Sequence, residues 1–375
     1  MDRITVICIG KLGLCIALSF ERAGFSVMGV DINQDYINAI NQKTLNSYEP
    51  KVNEYLRESK NFIATTNLKH GLEFSDNIFI VALTPNGGGD NFYDHSILSK
   101  ILFDINACNV KNKTIVICCT VMPKYIDTVT TYLLDDCIRE GKCTVSYSPE
   151  FIQQGDIIHG FRNPDFILIG EANQQAGDII QNILLKVVEN KPRICRMSPL
   201  EAEITKIALN GYLVNKISYA NLIGDTCLEY GADPHKVLDA IGSDSRIGPK
   251  FFRYGNNPGG PCLSRDTQAL SVCIAKVNIE PKLPLAVMDS CTDHLKFQVQ
   301  KMIDELGDNY QVVTIENVCY KDNCKVPIIT ESPKLKIAEQ LSKRGYTVRI
   351  KDTKNIIDEV KKEYGSIFQY EIKTD

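Results

Sequence analysis

The chain has 375 residues, 44% of them hydrophobic, and a formal net charge of -4 from 42 basic and 46 acidic side chains. That length suggests two or three domains, and the composition supports packed cores rather than disorder. Near-balanced charge gives nucleic acid or a membrane surface no electrostatic hold, no apolar run is long enough to cross a bilayer, and Met1-Asp2-Arg3 leads toward a strand with no sign of a signal peptide.

Arg3 to Ile9 is a β-branched apolar run, followed by Gly10-Lys11-Leu12-Gly13. Leu14 to Ala23 then reads as a helix stopped by Gly24, and Val27 to Val30 as a second strand ending at Asp31. Strand, glycine turn, helix, strand and acid follow the order and the roughly 20-residue spacing of a dinucleotide-binding unit. Glycines let the backbone approach a pyrophosphate, the helix N-terminus offers free N–H groups, and the acid accepts from a ribose hydroxyl. The first glycine of G-x-G-x-x-G is Cys8 here, and an ordinary strand–helix–strand unit is the competing reading.

The alternation continues. Asn77 to Leu83 is a strand followed by Thr84-Pro85 and the loop Gly87-Gly88-Gly89. Thr114 to Cys119 ends at Thr120, Cys143 to Tyr147 ends in Ser148-Pro149-Glu150-Phe151, and Phe166 to Ile169 is a further strand. Such alternation predicts a parallel sheet with covered faces, whose ligands gather at the carboxyl ends of its strands. Gly10, Asp31, Thr84, Thr120 and Glu150 all sit just past strand ends, so one crevice could hold them. Any one of them alone would also serve as a cap or a loop residue.

Ser198-Pro199-Leu200-Glu201 fits a capping box with proline at the first helical position. Glu201 to Tyr230 lacks proline and predicts a helix of roughly 45 Å, a natural inter-domain spine and dimer face in which Gly211 and Gly224 are tolerable but costly. Lys206 and Asn210 are spaced i, i+4 and share a face. Pro234 to Ala240 reads as a short helix, Leu285 to Leu306 as a long one, Gln311 to Val318 as a strand, Pro333 to Arg344 as a helix, and Tyr346 to Ile350 as a strand with Asp352 at its end. The expected architecture is α/β: an N-terminal Rossmann-like dinucleotide-binding domain (1–196), a central helical domain with the spine helix (197–295), and a smaller C-terminal Rossmann-like domain (296–375).

Asn256 to Asp266 reads NNPGGPCLSRD. Its prolines and glycines fix a loop with unusual backbone angles and give a ligand access to the main chain. Cys262 precedes an apolar, helix-like stretch, Leu270 to Ala275, which Asp266 is expected to open. A thiol at a helix N-terminus can be a better nucleophile, although a structural turn could also contain a cysteine. Of the 14 cysteines, Cys8, Cys15, Cys118, Cys119 and Cys273 lie in apolar stretches, the placement of reduced thiols in a cytoplasmic protein. There is no C-x-x-C, and the five histidines are scattered, so no metal site is expected.

As an ordered set these segments resemble the nucleotide-sugar 6-dehydrogenases of the UDP-glucose/GDP-mannose dehydrogenase family, nearly end to end. Gly10, Gly13 and Asp31 match the NAD turn and ribose acid, Tyr48-Glu49-Pro50 a YEP segment, Thr84-Pro85 the TP after the fourth strand, and Thr120 the threonine of K-S-T-V-P. Pro149-Glu150-Phe151 matches N-P-E-F-L, and Lys206 and Asn210 match the catalytic pair of the central helix. Arg246-Ile247-Gly248 matches the R-I-G of members acting on UDP-glucose. Gly259-Gly260-Pro261-Cys262 with Asp266 matches the nucleophile loop. Lys321 matches the F-K lysine, and Glu331-Ser332-Pro333 the E-S-P after it.

The resemblance implies oxidation of UDP-glucose to UDP-glucuronate by two NAD+, through a thiohemiacetal and then a thioester on Cys262, in service of polysaccharide biosynthesis. It implies that Lys206 and Asn210 stabilise the oxyanion, that Asp266 and Thr120 handle water, and that Glu150 assists hydrolysis. Gly10, Gly13, Asp31, Thr84 and Thr120 would hold NAD, while Phe151, Lys206, Asn210, Arg246, Phe251, Gly259 and Lys321 would hold the sugar nucleotide, Arg246 across a homodimer interface. GDP-mannose or UDP-N-acetylmannosamine as substrate, or a non-catalytic relative, remain alternatives. The departures fall mostly on the cofactor side: Cys8, Tyr36, Cys118-Cys119 for Lys-Ser, Gln154 for an acid, and Thr330 for Arg. Asn257-Pro258 and Leu263-Ser264 also depart from the family pattern. The departures lead us to expect a working enzyme with weaker or altered NAD binding.

Overall fold

A computed structural model describes residues 2–87, 92–306, 312–322, 324 and 326–373. It divides into two compact units, Met1–Lys206 and Ile207–Asp375. Gly88, Gly89 and Gln311 of the expected elements lie outside the described residues.

The first unit is built on an eight-stranded sheet of β1 (Arg3–Ile7), β2 (Ser26–Val30), β3 (Phe62–Thr65), β4 (Asn77–Ile80), β5 (Lys113–Ile117), β6 (Cys143–Tyr147), β7 (Phe166–Gly170) and β8 (Arg193–Met197). Its order is β3-β2-β1-β4-β5-β6-β7-β8. Strand β1 pairs in parallel with β2 (Ile4 opposite Val27) and with β4 (Val6 opposite Phe79), so the order reverses at β1. That reversal opens a crevice at the carboxyl ends of the strands. The apolar runs are continuous because both faces are covered: Phe79 and Val116 pack on one side, and Ile78, Ile80, Ile115 and Ile117 on the other. The expectation of a parallel sheet needs one correction, since β7 meets β6 antiparallel through Tyr147 and Gly170. The short helix Ile157–Arg162 between them does not carry the chain back across the sheet as a parallel crossover would.

The second unit holds the helices Pro234–Gly242, Leu263–Lys276 and Lys282–Leu306 and a three-stranded parallel sheet, β11-β10-β9, of β9 (Val313–Glu316), β10 (Val348–Asp352) and β11 (Gln369–Ile372). Strand β9 is shorter than its apolar run because Asn317 turns to φ 56°. The residues after Asp352 complete the sheet through the helix Lys354–Tyr364 and β11. The spine helix runs Pro199–Glu229 over 31 residues. Its capping box forms as expected: Ser198 N donates to Glu201 Oε2 at 2.8 Å and Glu201 N to Ser198 Oγ at 3.4 Å.

Candidate functional site

In the first unit the turn after β1 is a cradle. Cys8 takes the left-handed φ of 65° and donates its N–H to the Val30 carbonyl at 2.8 Å. Gly10 caps the helix Lys11–Arg22 with no side chain, and a Cβ there would meet nothing within 4 Å. At Gly13 a Cβ would lie 2.1 Å from the Cys8 carbonyl oxygen, so only glycine lets the helix seat against the turn. The result is open backbone at a helix N-terminus, which suits a pyrophosphate. Asp31 stands at the end of β2, and its Oδ1 accepts from Asn33 N at 3.2 Å. Beside it Ile32 is 97% exposed, an apolar surface for a flat base that the sequence reading did not single out. Thr84 is buried just past β4. These groups fit a dinucleotide.

Thr120 is half-buried and follows two buried thiols, of which Cys119 is pushed up to about 12 by desolvation. The chain beyond it is held by Glu203, a fully buried carboxylate that accepts from Lys124 N at 2.6 Å and Ile126 N at 2.8 Å. Desolvation raises Glu203 to about 7 against the pull of those N–H groups. Glu150, at the end of β6, is raised to about 8 by desolvation, with the Lys206 ammonium opposing. Lys206 donates Nζ to the Glu150 carbonyl at 2.6 Å and sits 4.4 Å from the Phe151 ring centroid. Glu150, Phe151 and Lys206 are thus brought together.

In the second unit Cys262 is exposed and is the N-cap of the helix Leu263–Lys276. The helix therefore opens at Leu263, earlier than the apolar stretch suggested, and Asp266 lies inside its first turn rather than at its start. Asp266 is buried and accepts from Asn210 Nδ2 at 2.6 Å. The loop that leads to Cys262 is braced by the segment after β9. Gly260, at φ 84°, donates to the Thr330 carbonyl at 3.0 Å, and a Cβ on Gly259 would stand 2.2 Å from the Tyr320 carbonyl oxygen. Lys321 follows Tyr320, with Nζ 5.4 Å from the tyrosine ring centroid.

Phe251, at φ 59°, lines a cavity of about 340 Å³ with Ile217, Pro249, Lys250, Phe252, Arg253 and Asn256. Two cations and two aromatic rings suit an anionic nucleotide. Arg246 is not brought to this cavity: it is 86% exposed and paired with Asp244 at 2.8 Å. Upstream of the loop, the Gly255 carbonyl lies 2.7 Å from His294 Nε2, while His294 Nδ1 lies 2.8 Å from Asp225. Glu203, Arg253 and the His294–Asp225 pair escaped the sequence reading. Only Arg253, close to the glycine loop, carried a local signal.

The model for the UDP-glucose/GDP-mannose dehydrogenase family, NAD binding domain, matches residues 2–188, and that for its central domain matches residues 200–292. The chain is 28% identical to a UDP-glucose 6-dehydrogenase from Rickettsia bellii, covering 93% of this chain and 80% of the relative. It is 29% identical to a GDP-mannose 6-dehydrogenase from Pseudomonas aeruginosa, covering 93% and 81%. A solved UDP-glucose dehydrogenase from Pyrobaculum islandicum superposes with a TM-score of 0.90 at 25% identity, covering 100% of this chain and 86% of that one.

Proposed function

Because the chain belongs to the UDP-glucose/GDP-mannose dehydrogenase family, we propose that it oxidises the C6 alcohol of UDP-glucose to the carboxylate through covalent attachment to Cys262. The observation that carries this reading is an exposed thiol at a helix N-terminus with the buried Asp266–Asn210 pair one turn behind it. NAD is the cofactor; when bound it would supply a hydride acceptor, and a four-electron oxidation would need two NAD+ per sugar. Gly10, Gly13, Asp31, Thr84 and Thr120 are the residues we assign to hold it.

The chemistry at the chain's own residues follows from the change in oxidation state. The alcohol loses a proton and a hydride and becomes an aldehyde. Cys262 thiolate adds to that carbon, forming a C–S bond, and the oxygen takes a proton to give the thiohemiacetal. Loss of a further hydride and proton leaves a thioester, so the aldehyde stays attached between oxidations. Water adds to the thioester carbon, the C–S bond breaks, and the sulfur leaves as thiolate. We assign the ammonium of Lys206 and the amide of Asn210 to stabilising the oxyanion in the additions, and removing one such donor typically costs about 2.7–4 kcal/mol. Asp266 and Thr120 orient water, and ionised Glu150 takes its proton. Lys250 and Arg253 bind the diphosphate, Phe251 the base, and Gly259 and Lys321 the sugar nucleotide.

We further propose a homodimer through the spine helix, where Tyr212, Tyr219 and Leu222 are large apolar residues left exposed. Arg246 then reaches a partner's substrate. Fourteen free cysteines support a cytoplasmic setting, and no described helix is long and apolar enough to cross a membrane.

The test is NADH formation, read by absorbance, with UDP-glucose, GDP-mannose and UDP-N-acetylmannosamine beside a Cys262→Ser variant. Two NADH per UDP-glucose and a near-inactive variant are expected. Turnover of GDP-mannose alone would reassign the base and sugar. Binding without turnover for all three would sink the catalytic reading.

A further inference from the structure

Glu49 belongs to the Tyr48-Glu49-Pro50 segment, for which the chemistry above has no use. Its side chain is 2% exposed. One carboxylate oxygen, Oε2, accepts from the backbone N–H of Gly155 at 3.0 Å. The other, Oε1, accepts from the N–H of Ile157 at 2.8 Å. A buried carboxylate is retained only where such donors replace water, and charge-assisted bonds of this kind are the strong ones.

The two donors define a clamp on a particular segment. Ile157 is the first residue of the helix Ile157–Arg162, whose own N-cap, Asp156, makes no side-chain cap bond. Glu49 supplies from 108 positions upstream what the adjacent aspartate does not. Gly155 is held at φ 87°, the point where the chain turns into the helix.

The clamped segment joins the two halves of the first unit's chemistry. At its near end the Glu150 carbonyl accepts from Lys206 Nζ at 2.6 Å, with the Phe151 ring against the same ammonium. At its middle Gln154 Oε1 accepts from Lys11 Nζ at 3.4 Å, and Lys11 lies in the dinucleotide turn. The segment therefore touches the cofactor turn on one side and the ammonium assigned to the oxyanion on the other.

We propose that Glu49 is a positioning residue that, by holding Gly155 and Ile157, sets the segment 150–155 between the dinucleotide turn and Lys206. It touches neither substrate nor cofactor and acts through Glu150, Phe151 and Gln154. The inference rests on the dehydrogenase reading of the same site.

Glu49→Gln tests it, beside Glu49→Ala and the surface control Glu54→Gln. The glutamine keeps the shape but turns an amide N–H toward one backbone donor. Hydrogen exchange by mass spectrometry should show residues 152–158 losing protection by about tenfold in Glu49→Gln, the cost of one lost bond, with the rest of the chain unchanged. The turnover number should fall by about 100-fold, as expected for reacting groups displaced by an ångström. The NADH dissociation constant, read by fluorescence, should hold. Unaltered exchange at 152–158, or a melting temperature, NADH affinity and turnover that fall together, overturns the proposal. Should the parent turn over no nucleotide sugar, the dehydrogenase reading fails by itself. Exchange then still decides the clamp: local loss supports it and unaltered exchange refutes it.

Discussion

Cys8 stands in a backbone conformation that glycine would adopt freely. At φ 65° an L-residue costs about 1–2 kcal/mol, and the thiol is raised to about 12 by desolvation and by Asp31. Cys8→Gly is expected to stabilise the first unit by about 1 kcal/mol, less whatever packing the side chain contributes, in urea unfolding; a loss of stability would show that packing outweighs strain. Glu150 makes a prediction in pH. Its folded value of about 8 lies above the ordinary one, so folding favours the neutral form. That contribution is fully present below about pH 4 and is lost as pH rises through 8. Glu150→Gln should therefore leave the melting temperature unchanged at pH 5 and raise it relative to the parent at pH 9. If ionised Glu150 takes the proton of water, parent turnover should rise through about pH 8 and the variant's profile should flatten.

The spine helix explains at the scale of an element what looked like poor helix-forming residues. A Cβ on Gly224 would lie 1.9 Å from the Tyr254 ring, and one on Gly211 would lie 2.7 Å from Leu270 Cδ2. The glycines mark where neighbouring side chains lie flat on the helix, and that contact offsets their poor propensity. Tyr254 in turn gives its hydroxyl to Asp225 at 2.9 Å, one step from the Gly255 turn that leads to the Cys262 loop. Gly224→Ala is expected to destabilise the protein by about 1–3 kcal/mol through overpacking, despite alanine's better helix propensity. A variant with a higher melting temperature would mean the ring moves aside at no cost.

The whole molecule adds the question of pairing. Leu222→Glu on the exposed apolar face of the spine helix should shift a homodimer to monomer in sedimentation, and in the same sample lower turnover if Arg246 serves the partner's site. A parent that sediments as a monomer would remove both proposals. The parallel strands, the spine helix, the glycine turn after β1 and the proline–glycine loop before Cys262 were legible because each is written in local chemistry. Apolar runs of one period, a glycine where the backbone must approach, a Ser-Pro-x-Glu cap and a Pro-Gly loop before a helix are all read within about ten residues. The antiparallel β7, the clamps of Glu49 and Glu203, and the His294–Asp225 support of Gly255 were not. Their partners lie far apart in the chain, 108 positions in the case of Glu49 and Ile157, and a hydrogen bond across such a distance leaves no period or spacing behind. The sequence by itself determined which chemical groups the protein possesses and which elements carry them, because propensity and turn chemistry act locally. Only the tertiary structure decided which buried carboxylates hold which loops, because burial withdraws each polar group from water and obliges it to find its partner wherever the fold has placed one.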